Sequence, residues 1–189
     1  MPRPFAYTNR RGRVYYLRAV PSMHGKTRYV FSRKAGADAL ARVPPGQEVS
    51  ESVNGVVSLA RIGSFRIREA DLQTVRAVIA GQGRLRGLRV GRQKDAVVVY
   101  EPLGLTADEF ARAVGLEPAG FTTGRDARQY TPVLRFRLVD PETHEFVVDR
   151  MCHRSFVDDW LCLNDVGTLA RLARHYVPHA GRESFYELI

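Results

Sequence analysis

The stretch from residue 13 to residue 33 reads RVYYLRAVPSMHGKTRYVFSR and has the pattern of a basic, aromatic β-hairpin. The side chains of its first part alternate between two faces, one with Arg13, Tyr15, Leu17 and Ala19 and the other with Val14, Tyr16, Arg18 and Val20. Residues 21–26 have the composition of a turn, and residues 28–33 read as the returning strand. We therefore predict that the N-terminal part of the chain is built on an antiparallel hairpin.

Similar patterns continue along the chain. Asn54-Gly55, between two alternating runs, is the strongest short-range hairpin signal that a sequence contains. Thr106 and Glu109 have the spacing of a capping box at the start of a helix. The sequence predicts further strands at residues 48–53, 56–62, 96–100, 133–139 and 145–151, and helices at residues 36–43, 69–80, 106–114, 168–177 and 182–189. Hairpins that alternate with single helices indicate an α+β fold with antiparallel sheets.

A chain of 189 residues is long enough for one good core or two small ones. Residues 118–130 have the glycine, threonine and charged residues of a loop, so we expect a boundary there. The first subdomain, residues 1–117, would be basic, with a hairpin, a helix and a second hairpin followed by a helix, strands and a helix. The second subdomain, residues 125–189, would be acidic, with a hairpin followed by helices.

The distribution of charge is the main indication of function. The chain has 29 basic and 20 acidic side chains, and residues 1–34 contain nine basic side chains and no acidic one. Residues 1–100 have a net charge of +13 and residues 101–189 one of −4. Such segregation is typical of a half that faces nucleic acid. Of the basic residues 26 are arginine, which suits phosphate contacts, although a GC-rich genome gives the same bias.

Basic and aromatic residues together predict binding to single-stranded nucleic acid, DNA or RNA, with little sequence preference, because cations follow the phosphates and bases stack on rings. The expected phosphate contacts are Arg10, Arg11, Arg13, Arg28, Arg33, Arg84, Arg86 and Arg89, and the expected stacking residues are Tyr15, Tyr16 and Tyr29. Alternation limits this prediction, because only about half of the aromatic residues can meet a ligand if one face is core. The structural alternative is that the rings fill a small core and the arginines are a solvated rim.

An alternative function is a metal-dependent nuclease or phosphodiesterase that uses the C-terminal half. Its candidate metal ligands are His144, Asp149, His153, Asp158 and Asp159, which could bind Mg²⁺, Mn²⁺ or Zn²⁺. No H-E-x-x-H or paired C-x-x-C signature fixes their geometry. The structural alternative is that Asp158 or Asp159 caps a helix and Trp160 is core. Outside this alternative the sequence predicts no cofactor.

Other classes of function have less support in the sequence. Cys152 and Cys162 show no metal or redox spacing, and the glycines form no phosphate-binding loop in the required context. The absence of a long apolar run predicts no membrane partner and a cytoplasmic protein. A third function remains open, an adaptor that binds an acidic protein partner. The acidic C-terminal half could also contact a protein.

Overall fold

The computed structural model describes residues 3–22, 27–104, 107–117, 128–154 and 157–188. In this part of the chain there are three α-helices and ten strands, and every paired strand is antiparallel. The α+β fold built of antiparallel hairpins is therefore confirmed.

The chain divides into two compact units, and each unit combines two separate stretches. Unit 1 contains Met1–Ser64 and Gly104–Arg128, and unit 2 contains Phe65–Leu103 and Gln129–Ile189. This grouping differs from the predicted one, which places residues 65–103 with the N-terminal hairpins. The physical reason is strand pairing, because β7 (Ala96–Leu103) pairs with β8 (Gln129–Asp140) along its length.

Unit 1 contains the predicted hairpins. Its first sheet has the order β1-β2-β3, formed by Ala6–Thr8, Val14–Pro21 and Thr27–Ser32. A second, two-stranded sheet consists of β4 (Gln47–Glu51) and β5 (Val57–Arg61), which flank the Asn54-Gly55 turn. Helix α1 (Glu69–Ala80) belongs to unit 2, and α2 (Ala107–Ala113) belongs to unit 1. The capping box predicted at Thr106 lies outside the described residues.

The predicted helix at residues 36–43 is wrong. Ala39 instead forms an isolated antiparallel bridge with Arg18 of β2. The Leu40 N–H donates to the Leu17 carbonyl at 2.8 Å, and the Phe5 N–H donates to the Leu40 carbonyl at 2.7 Å. The segment therefore pairs with the part of β2 that extends beyond β1, where a helix would leave the backbone groups of β2 without partners.

Unit 2 is a five-stranded antiparallel sheet with helices on one face. The strand order is β10-β9-β8-β7-β6, where β6 is Arg89–Arg92, β9 is Glu145–Arg154 and β10 is Val157–Thr168. Helices α1 (Glu69–Ala80) and α3 (Leu169–Tyr176) contribute to one core with alternate residues of the central strands. That core includes Leu72, Val75, Leu169, Leu172, Val97, Val99, Phe136 and Val148. The predicted helices at residues 69–80 and 168–177 are confirmed.

Two predictions for the C-terminal part are wrong. Asp158 and Asp159 do not cap a helix, because they belong to β10, which pairs with β9 in antiparallel register. The predicted closing helix at residues 182–189 is only a single 3-10 turn, Glu183–Phe185. Phe185 is nonetheless buried, so the C-terminal segment docks on the core through this side chain.

Candidate nucleic-acid interface

The register of the β1-β2-β3 sheet assigns the predicted stacking residues to two different faces. Tyr15 lies opposite Tyr7 on β1, and the fully buried Leu17 lies opposite Phe31 on β3. Directly opposite residues share a face, and so do alternate residues of one strand. Tyr15 and Tyr29 are therefore on the same side as Leu17, which we call the inner face. Both rings are half-buried, so two of the three predicted stacking residues lie on the core side.

Tyr16 lies on the opposite side, which we call the outer face. It stands between Ala6 on β1 and Ser32 on β3, and both neighbours have small side chains. The ring is half-buried. The two side chains directly opposite the ring, one on each neighbouring strand, are therefore small.

Two arginines share the outer face with Tyr16. Arg18 follows two positions after Tyr16 on β2, and Arg28 lies opposite Val20 on β3. Arg28 is exposed, whereas the Nε of Arg18 donates to Asp38 Oδ1 at 2.7 Å. The hydrogen bond from Arg18 lowers the pKa of Asp38 below its ordinary value. Arg18 was not among the expected phosphate contacts, although the alternation of β2 already placed it on the same side as Tyr16.

Arg10 and Arg11 have partners inside unit 1. They lie in the turn between β1 and β2, where the side-chain oxygen of Asn9 accepts backbone N–H groups of Arg11 and Arg13 at 3.1 and 2.9 Å. Asn9 is buried, and its Nδ2 donates to the Gly55 carbonyl at 2.7 Å. Arg11 Nη2 donates to the Arg128 carbonyl at 2.7 Å. These contacts hold the β1-β2 turn against the Asn54-Gly55 turn.

The carboxylate of Glu51 accepts further hydrogen bonds from this turn and from β1. Its carboxylate accepts the Arg10 Nε at 3.1 Å and the Arg10 backbone N–H at 2.9 Å. Its other oxygen accepts the Tyr7 hydroxyl at 2.9 Å. Burial, together with this hydrogen bond to Glu51, raises the pKa of Tyr7. Arg10 therefore forms an internal ion pair, which partly neutralises the charge that the sequence assigned to phosphate contact.

The remaining predicted arginines fall into two groups. Arg13, Arg28 and Arg33 are exposed in unit 1. Arg84, Arg86 and Arg89 belong to unit 2. Arg84 donates to the carbonyls of Pro178 and Ala180, Arg86 is exposed, and the Arg89 guanidinium lies 5.7 Å from the centre of the Tyr130 ring.

The positive charge is concentrated in unit 1. Unit 1 has 14 basic and 7 acidic side chains, whereas unit 2 has 15 basic and 13 acidic ones. An excess of cations of this kind attracts polyanions and accelerates their association. The net charges of the two units, +7 and +2, therefore differ less than those of the two halves of the sequence, +13 and −4, and unit 2 is not acidic as predicted for the C-terminal subdomain.

The candidate metal ligands do not converge among the described side chains. Asp149 is buried and accepts hydrogen bonds from Arg135 and Arg137, so cations already occupy its carboxylate oxygens. His153 lies four residues further along β9, about 13 Å away at the rise of an extended strand. His153 is paired with Asp158 in the backbone register, but the side chains of both lie outside the described part.

The other two candidates have different surroundings. His144 Nε2 lies 2.8 Å from Asp71 Oδ1, at the first turn of α1, and the second oxygen of Asp71 accepts the Arg68 N–H at 2.7 Å. Asp159 is exposed and accepts the N–H of Trp160 at 2.7 Å. In the described part of the chain, no three His, Cys, Asp or Glu residues form a group that could hold a metal ion.

The comparisons with known proteins give no match: no family model, no curated protein and no solved structure is similar to this chain. Among the described residues, no helix is long and apolar enough to cross a membrane.

Proposed function

We propose that unit 1 binds single-stranded nucleic acid, with little sequence preference, on the outer face of its β1-β2-β3 sheet. The observation that carries this proposal is the position of Tyr16 between Ala6 and Ser32, with Arg18 and Arg28 on the same face. A base can stack on the Tyr16 ring while the arginines contact the phosphates on either side of it.

Each side chain has a distinct role in this proposal. Arg28 is exposed and supplies a phosphate contact. Arg18 is held by Asp38, so its guanidinium is oriented and its charge is partly neutralised. Arg13 and Arg33, at the ends of β2 and β3, extend the positive surface beyond the sheet.

Single strands fit this surface better than duplex. The only described helix in unit 1 is α2, of seven residues, and Arg112 is the one basic residue in it. Such a helix is a poor candidate for reading the major groove of DNA, which is usually done by a helix with several base-contacting side chains. A ring on the surface of a sheet, in contrast, stacks with an unpaired, unstacked base, and single strands provide one.

A salt titration of oligonucleotide binding tests this proposal. For single strands, log K falls with log salt by about 0.7 for each phosphate that is neutralised. The variant Arg28→Gln should therefore bind more weakly and lower the slope by about 0.7. The matched control is Arg61→Gln, which removes the same charge from an exposed position on β5, in the other sheet of unit 1.

A comparison of the two variants distinguishes binding at the outer face from attraction by the total charge of unit 1. Equal losses in both would mean that only the total charge of unit 1 attracts the oligonucleotide, and the assignment to the outer face would be wrong. Failure of the wild-type protein to bind at low salt would contradict the proposal as a whole. An acidic protein partner would then become the leading explanation of the charge.

A further inference from the structure

The face of the unit 2 sheet that points away from α1 and α3 has its own charged cluster. Val148 and Phe136 pack with the helices, so the alternate residues of β8 and β9 lie on the other face. Arg135 lies opposite Asp149 in the register, and Asp149 lies opposite Cys162 of β10. We call Arg135, Asp149 and Arg137 the arginine clamp.

The clamp holds two guanidinium groups on one buried carboxylate. Both Nε atoms donate to the same Asp149 oxygen at 2.8 Å, and Arg137 Nη2 reaches the second oxygen at 3.3 Å. The Asp149 side chain is 1% exposed, whereas those of Arg135 and Arg137 are 22% and 38% exposed. Burial raises the pKa of Asp149, but the hydrogen bonds from Arg137 and Arg135 outweigh burial and hold that pKa below its ordinary value.

One arginine of the clamp, Arg135, contacts the ring of Trp160, the single tryptophan of the chain. The Arg135 guanidinium carbon lies 4.4 Å from the centre of the Trp160 ring, and this ring is half-buried. Among the described residues, the two Nη groups of Arg135 have no hydrogen-bond partner. The Nη1 of Arg137 has none there either. Fixed N–H donors therefore lie next to an aromatic surface.

Stability alone does not account for this arrangement. A buried ion pair contributes little to folding compared with apolar side chains of similar size, and much of the sheet around the clamp is valine and other apolar residues. The three charged groups of the clamp together carry one net positive charge. A buried carboxylate that fixes two arginines is, however, a usual way to orient cations for an anionic ligand.

We propose that Arg137, Arg135 and Trp160 form a second binding site, for a nucleotide unit, whose phosphate oxygens accept hydrogen bonds from the two guanidinium groups and whose base stacks beside the indole. Phosphate matches the donor geometry of paired guanidinium groups, and bases stack on both guanidinium and indole planes. The nucleotide unit can come from a free nucleotide or from one residue of a single strand. This site lies in unit 2 and requires nothing of the outer face of unit 1.

Fluorescence of Trp160 tests the site directly, because no other tryptophan contributes to the signal. The full chain is titrated at low salt with a nucleoside monophosphate, with a ten-residue single-stranded oligonucleotide, and with inorganic phosphate. Saturable quenching by the monophosphate identifies a free nucleotide as sufficient, and quenching by the oligonucleotide alone identifies a unit of a strand. No quenching by either, or quenching by phosphate as strong as by the nucleotides, would overturn the proposal.

Variants connect the signal to the clamp. Arg137→Gln should lower the affinity for the ligand that quenches Trp160 at least about tenfold, because it removes charge-assisted hydrogen bonds to the phosphate. Arg137→Gln/Asp149→Asn should show the same loss, and it removes the buried charge that could unfold the single variant. Arg76→Gln, an exposed arginine on α1, is the matched control and should bind like the wild type. Retention of full affinity by both clamp variants would overturn the assignment.

A variant of unit 1 keeps the two proposals apart. Tyr16→Ala/Arg28→Gln should leave the quenching of Trp160 by the nucleoside monophosphate unchanged. Loss of that quenching in this variant would show that the signal arises from unit 1 and would contradict a separate site in unit 2.

Discussion

Tyr15 and Tyr16 are adjacent in the sequence but lie on opposite faces of the β1-β2-β3 sheet. The Tyr15 ring is on the side of the buried Leu17, and the Tyr16 ring is on the side of Arg18 and Arg28. Substitution of the two tyrosines by alanine should therefore have different effects, one on binding and the other on stability.

Tyr16→Ala should weaken binding of single-stranded oligonucleotides and change stability little. A stacked base contributes about 1–3 kcal/mol, so the affinity should fall by that amount. Tyr15→Ala should instead lower the free energy of unfolding, because it removes a ring from the core side, and the folded protein should still bind. Binding isotherms and urea unfolding of both variants measure these effects. Equal losses of affinity in the two variants would refute the assignment of faces.

Glu51→Gln should destabilise unit 1. The carboxylate joins the Arg10 side chain and backbone to the Tyr7 hydroxyl, and its side chain is only 10% exposed. Hydrogen bonds to a charged group contribute about 1.5–3 kcal/mol, and we expect a loss of this order in urea unfolding. Glu48→Gln is the control, because Glu48 is on the same strand and has no ion pair among the described residues. A similar loss in both variants would mean that the Glu51 contacts have no special role.

Gly55→Ala should cost more stability than Gly46→Ala. Both glycines have φ of +74°, so an alanine is strained at either position. At Gly55 the new Cβ would also lie 3.0 Å from Asn9 Nδ2, which bonds the carbonyl of the same residue, whereas at Gly46 nothing lies within 4 Å. Thermal unfolding of the two variants isolates the contact between the turns. A Gly55→Ala protein as stable as Gly46→Ala would show that this contact adapts without cost.

Asp149→Asn should reduce the acid sensitivity of the fold. The pKa of Asp149 is lowered in the folded chain from its ordinary value of 3.8. A carboxyl group of this kind stabilises the fold above its ordinary pKa, and the stabilisation is lost as the pH falls through the lower, folded value. At neutral pH the variant should be less stable by about 1–3 kcal/mol, and the difference should shrink below about pH 4. Urea unfolding across this pH range measures it.

The control for this experiment is Asp159→Asn, an exposed carboxylate on β10. This variant should lose less stability at neutral pH than Asp149→Asn does. A difference between wild type and Asp149→Asn that does not change with pH would contradict the assigned ion pair.

Tyr176 should titrate late. Burial, together with the hydrogen bond of its hydroxyl to Asp165 at 3.0 Å, raises the pKa of Tyr176 to about 12. Because the folded pKa is above the ordinary value of 10.0, the stabilisation is complete below that value and is lost as the pH rises toward the folded pKa. The difference in ultraviolet absorbance between wild type and Tyr176→Phe should therefore show a phenolate that forms above the ordinary pKa of tyrosine. A difference signal that titrates at the ordinary pKa would contradict the contact with Asp165.

Local patterns in the sequence predicted many of the individual elements. The Asn54-Gly55 hairpin and the helix at residues 69–80 have strong local signals, and both are present. The helix predicted at residues 36–43 is absent because the backbone of this segment pairs with β2. This contact is distant in sequence and overrides local helix propensity. The strand Val157–Thr168 was not predicted for a similar reason, because its pairing with β9 gives the segment its conformation.

The candidate site was predicted in composition but not in geometry. Alternation separated Tyr15 from Tyr16, yet it could not say which of them is on the core side, because that depends on what packs against the sheet. Likewise the charge of Arg10 was visible in the sequence, but its ion pair joins residues 41 positions apart. The contact of Arg135 with Trp160 crosses from β8 to β10 and has no local signal.

The pairing of Leu103 with Gln129 has a consequence for the way the chain can be divided. These two residues are partners at the end of the β7-β8 ladder, and the 25 residues between them all belong to unit 1. The whole stretch is thus an insertion whose two ends are already held side by side by the host sheet, so the entropy of closing it is small. A short turn that joined Leu103 to Gln129 would convert unit 2 into one uninterrupted polypeptide. Unit 1 cannot be excised in this way, because its two stretches are linked only through its neighbour.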